Sequence, residues 1–158
     1  MVKNRTDIDK HDFQKVLTQA VAEARQLEQG HLAAYIPELA EVPPELTAVD
    51  VMFTNGEHLV AGDIDENRLI TLQSTSKLVL LIGLLEELGE ENVFKWTKTE
   101  PSGDDFASIA RLDQFGPIPS NPMLNAGAIA LCNHIPGENA EQKLAWLEHW
   151  MTKCFGVP

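Results

Sequence analysis

The chain has 158 residues, 44% of them hydrophobic, and 24 acidic against 12 basic residues give a formal net charge of −12. That length and composition suffice for one ordinary domain with a sizeable core. The negative balance repels phosphate backbones and anionic headgroups, so neither nucleic acid nor a membrane surface is an expected partner.

The opening MVKNRTDIDKHDFQ has no apolar run of the kind a signal peptide requires, and residues 1–11 are read as a polar tail. Residues 12–158 are read as one domain. DFQKVLTQAVAEARQLEQG, 12–30, spaces Phe13, Val16, Leu17, Ala20, Val21, Ala24 and Leu27 at helical intervals, with Gly30 as the stop. Pro37 and the Pro43-Pro44 pair cut the next apolar segment, which excludes a long helix. TAVDVMF (47–53) predicts a strand, Asn55-Gly56 a two-residue hairpin turn, and HLVAGD (58–63) the return strand. RLITL (68–72) predicts a third short strand.

From Ser74 to Leu88 the apolar residues are nearly continuous, which predicts a helix buried around most of its surface. It is too short to span a bilayer, and Glu86 and Glu87 interrupt it. TEPSGDDFASIARLDQFGPIPSNP reads as a long irregular connector, and such ordered loops are often functional. NAGAIALCNHI predicts another buried helix, and ENAEQKLAWLEHWMTKCF a final amphipathic one with Leu144, Leu147, Met151 and Phe155 on its stripe. Trp146 and Trp150 share a face at i, i+4, a packing arrangement. The order (helix, strands, then a run of helices) is α+β and resembles the first half of something larger.

The chemistry-bearing stretch is QSTSK, 73–77. Ser74 and Lys77 are three apart and share a face at a helix start. A serine hydroxyl becomes nucleophilic when a base removes its proton, and a lysine serves as that base only in its neutral form. Low dielectric and the positive end of a helix dipole favour that form, and a backbone N–H at the same turn points toward a developing oxyanion. Ser-x-x-Lys is also frequent by chance, and Ser and Thr before an apolar run are ordinary helix caps. His11, His31, His58, His134 and His149 are scattered without a metal-binding spacing, and Cys132 and Cys154 form neither a disulfide framework nor a C-x-x-C site. A reduced, cytoplasmic protein is expected.

YIPELA (35–40), LQSTSK (72–77), EPSG (100–103) and NPMLNAGAI (121–129) stand in the order and at the spacing of the serine-dependent glutaminases. AGD (61–63) and EELGEENV (86–93) are similar to that family too, and the likeness runs from about residue 12 to about residue 135. The resemblance implies the N-terminal part of a β-lactamase-like fold, incomplete at this length. It implies hydrolysis of the L-glutamine side-chain amide, with Ser74 as nucleophile, Lys77 as general base, and Tyr35, Gln73, Ser74 and Asn125 as substrate contacts. No metal and no organic cofactor is expected, since nucleophile and base are both side chains, and a half-domain burying its open sheet edge and apolar helix faces is expected to self-associate as a homo-oligomer.

Each contact has a plainer alternative: a core ring for Tyr35, a helix cap for Asn125, strand-end polarity for Gln73. Pro101-Ser102-Gly103 and Asn121-Pro122 are read as turn formers. Two departures stand out. Ala107 replaces an asparagine usual after the Pro-Ser-Gly block, which is expected to loosen that loop. The family's second half, which supplies a glutamate, an asparagine, two tyrosines, an oxyanion donor and further strands, lies beyond these 158 residues. A catalytically inactive half acting as an interaction or assembly module is therefore the alternative. A penicillin-binding enzyme is disfavoured, because the chain has KTE at 98–100 and no Lys-Thr-Gly.

Overall fold

A computed structural model describes residues 9–63, 65, 69–103, 105, 107–108 and 116–156. The chain divides into two compact units, residues 1–69 and 70–158. The architecture is α+β, as the element order predicts.

In the first unit, helix α1 covers Lys10–Ala24. The Asp9 carboxylate caps it, accepting from the N–H groups of His11 at 2.9 Å and Asp12 at 3.3 Å. The helix stops six residues short of Gly30, and Leu27, predicted to lie on its apolar stripe, is 74% exposed. Leu17 and Val21 are the helix positions that become buried, with Phe13 partly buried beside them against the sheet. Pro37–Ala40 forms a single turn, α2, with the proline at its start.

Strands β1 (Ala48–Met52) and β2 (His58–Gly62) pair antiparallel, with Val49 opposite Ala61 and Val51 opposite Leu59. These four side chains form the face that receives Leu17, Val21 and Phe13 of α1. The hairpin loop has three residues rather than two: Phe53 N–H donates to Glu57 O, Gly56 N–H to Phe53 O, and Gly56 takes φ +85°. A type I turn followed by a left-handed glycine explains that geometry. At the other end Gly62, at φ +94°, has no room for a Cβ, which would sit 2.1 Å from Thr47 O. Asp63 closes this end, accepting from Thr47 N–H at 3.0 Å and from Arg25 at 2.5 Å. The third strand predicted at 68–72 does not form over 69–72; Leu69 and Ile70 are almost fully exposed. Residue 68 lies outside the described residues.

The second unit is helical. A 3-10 turn, Gln73–Thr75, leads directly into α3, Ser76–Leu88. Gly89, at φ +78°, ends α3 and starts the short α4, Glu90–Val93. Helix α5 covers Asn125–Cys132, and α6 covers Ala140–Phe155, capped by Asn139 at one end and a left-handed Gly156 at the other. Leu80, Leu84, Val93, Leu131 and Ile135 form the core. Removing a fully buried leucine such as Leu84 or Leu131 from a site of this kind costs about 2–5 kcal/mol.

The apolar continuity of α3 overstates its burial: Leu78 is 51% exposed and Ile82 36%. On α6 the buried seam runs through Trp146, Leu147 and Trp150, while Leu144 and Phe155 stay exposed. Indole area outweighs the leucine periodicity there. Gly83 is what lets α3 and α6 touch, since a Cβ at that position would meet Trp146 Cη2 at 2.5 Å and Trp150 Cγ at 2.8 Å. Both indole N–H groups donate to the Glu87 carboxylate, at 2.8 Å each.

Candidate active site

The site begins with backbone strain. Among the described residues Gln73 is the only non-glycine at positive φ, +49°. It opens the 3-10 turn, and its carbonyl accepts from Ser76 Oγ at 2.8 Å. Its own side chain donates to Thr71 Oγ1 at 3.2 Å. Ser74 is the middle residue of that turn and is exposed. The α-helix proper starts two residues later than the sequence pattern predicts, at Ser76, so Lys77 lies in its first turn. Ser74 and Lys77 thus flank the junction between the 3-10 turn and α3.

Lys77 is part-buried and held from across the unit. Its Nζ donates to Asn125 Oδ1 at 2.6 Å and to the Met123 carbonyl at 3.0 Å.

Asn125 is the first residue of α5 but does not cap it. No side chain caps this helix; just before it, Asn121 Oδ1 accepts from the N–H groups of Met123 at 3.0 Å and Leu124 at 3.2 Å. Asn121 Nδ2 donates to Glu100 O at 2.9 Å, beside two backbone bonds that tie 98–100 to 119–120. Ser102 of the Pro-Ser-Gly block is buried and Gly103 takes φ +69°. At Ala107 the backbone N–H donates to the Asp105 carboxylate at 2.8 Å, a local bond at the position where the family asparagine is replaced. The rest of that loop falls partly on residues 104, 106 and 109–115, outside the described residues.

Of the residues singled out from sequence, the second unit brings Lys77 and Asn125 into direct contact, with Gln73 and Ser74 one turn before Lys77. Tyr35 belongs to the first unit, just before α2, and is 73% exposed, so it is no core ring. The Met123 carbonyl and the Asn121 side chain were not singled out as site groups. Asn-Pro as a turn starter was the available signal for Asn121. A surface groove of about 650 Å³ between Leu72 and the last turns of α6, lined also by His149, Met151 and Phe155, includes neither Ser74 nor Lys77.

The family model described as Glutaminase matches residues 30–158. A glutaminase of Legionella pneumophila (strain Lens) is 57% identical over 141 residues, covering 89% of this chain and 45% of that protein. Glutaminase 1 of Halalkalibacterium halodurans is 42% identical, over 84% of this chain and 43% of its own length. Among solved structures, the probable glutaminase ybaS superposes with a TM-score of 0.80 at 35% identity, over 92% of this chain and 46% of that one. The chain thus spans about half the length of the curated relatives it matches. A match over most of its residues, in sequence and in fold, means that this chain belongs to the glutaminase family.

Proposed function

We propose that this chain carries the nucleophile and general base of an L-glutamine amidohydrolase. The observation that supports this best is the anchoring of Lys77 Nζ by Asn125 Oδ1 and the Met123 carbonyl, one turn beyond Ser74. In the proposed reaction Ser74 Oγ attacks the side-chain amide carbon while Lys77 Nζ takes the hydroxyl proton. The tetrahedral intermediate collapses, the proton passes to the departing nitrogen, and ammonia leaves an acyl-enzyme on Ser74. Water then adds, Lys77 again accepting a proton, and glutamate is released. Tyr35, Gln73 and Asn125 are the proposed substrate contacts. One solved relative is described in its glutamate form, a likeness of 26% identity and TM-score 0.76, which fits a glutamate product. A reduced cytoplasmic setting and self-association complete the reading; the free thiols of Cys132 and Cys154 are compatible with the former.

The test is ammonia release by a chimera in which these 158 residues replace the matching part of the Legionella relative. Glutamine-dependent release is expected, and Ser74→Ala is expected to lower it by at least about 10³-fold. Release that survives the substitution removes Ser74 as the nucleophile.

A further inference from the structure

We propose that Asn121 is a positioning residue for the general base, aiming the Met123 carbonyl at Lys77; this rests on the reading of Lys77 as the base. Both anchors of Lys77 Nζ come from one short segment, Met123 and Asn125. The carbonyl of Met123 and the N–H of Leu124 belong to the same peptide group. In a trans peptide these two bonds point in opposite directions. Asn121 Oδ1 accepts from Leu124 N–H and, from the preceding peptide, Met123 N–H. Gripping the N–H end of the 123–124 peptide turns its carbonyl away from Asn121 and onto Lys77 Nζ.

Asn121 is itself held. Its Nδ2 donates to Glu100 O, and its own carbonyl packs so closely on α5 that a Cβ at Gly127 would lie 2.0 Å from it. The side chain therefore connects a fixed support at Glu100 to the peptide that orients the base. Asn121 touches neither Ser74 nor the reacting atoms in this role; it acts through Met123.

The experiment uses the 158-residue chain and needs no turnover. Acylation of lysines by a small succinimidyl ester is followed by peptide mass spectrometry. Lys15, exposed on α1, is the reference, and Lys143, which donates to the Asn133 carbonyl in the same unit as Lys77, reports general loosening. Asn121→Ala should speed Lys77 acylation about five-fold relative to Lys15, the size expected for losing one hydrogen bond that holds the amine. Asn121→Asp keeps an acceptor for both N–H groups and loses only the donor to Glu100, so Lys77 should stay within about two-fold of the parent. The proposal is overturned if Asn121→Ala leaves Lys77 unchanged, if Lys143 rises in parallel, or if Asn121→Asp behaves like Asn121→Ala. Should circular dichroism show Asn121→Ala unfolded, Asn121→Ser takes its place; a rise of about two-fold at Lys77 alone supports the proposal, and none overturns it. Failure of the glutaminase reading is a separate result, seen as ammonia release that ignores Ser74.

Discussion

Gln73 holds a left-handed backbone immediately before the proposed nucleophile, a conformation that costs a non-glycine residue about 1 kcal/mol or more. Such strain persists where neighbouring structure over-determines it, here the 3-10 turn and the Ser76 hydroxyl on the Gln73 carbonyl. Gln73→Gly relieves the strain, and the chain is expected to gain about 1 kcal/mol in urea unfolding, less the added flexibility of the unfolded glycine. A loss of stability of that size would show that the glutamine side chain supports the turn more than its backbone strains it. At this scale Lys77 and Asn125, which the structure brings into contact, were singled out by the resemblance of their motif blocks to the glutaminases, since Ser-x-x-Lys by itself is frequent by chance. The second anchor of Lys77 was not. A backbone carbonyl leaves no mark on residue type, and Met123 reads as one more apolar side chain.

Between elements, the α3–α6 contact turns on Glu87. Its carboxyl is held below the ordinary value of 4.5, chiefly by the hydrogen bond from Trp146; the bond from Trp150 and the charges of Lys153 and His149 act the same way, and partial desolvation opposes them. A carboxyl depressed in the folded state contributes stability above its unfolded value and loses it as pH falls through the folded one. The stability gap between the parent and Glu87→Gln should therefore be largest at neutral pH. It should narrow as pH drops below about 4.5, followed by tryptophan fluorescence in denaturant. A gap that stays constant across that window would show that the indole contacts do not depend on the charge. The helices and the hairpin were legible from period and turn residues. What misled was apolar content without a partner: Leu69 and Ile70 look like a strand, yet among the described residues no strand pairs with them, and Leu144 yields the seam of α6 to two tryptophans.

For the molecule as a whole, family and fold class were legible because several motif blocks stand in register, which single motifs never establish. The extent of the chain relative to its kin bears on binding. Glutamine is small and strongly hydrated, so capturing it takes paired polar contacts on several sides. Gln73 and Ser74 are exposed, and the chain spans 45% of the Legionella relative. Calorimetry on the 158 residues alone should therefore give glutamine affinity of millimolar order or weaker, about −4 kcal/mol. Micromolar binding would mean that these residues already enclose the ligand.

One contact has a bearing on how such a sequence drifts. The Lys77 amine, the proposed base, is steadied by a peptide oxygen at position 123, a group that every amino acid carries. The Met123 side chain is 42% exposed and free to be exchanged without deleting that oxygen. Mutational tolerance at 123 is thus compatible with a fixed geometry, whereas the burden of preserving it passes to neighbours whose side chains or lack of them shape the peptide: Asn121 and Gly127. Positions that look interchangeable and positions that look merely structural exchange their apparent importance.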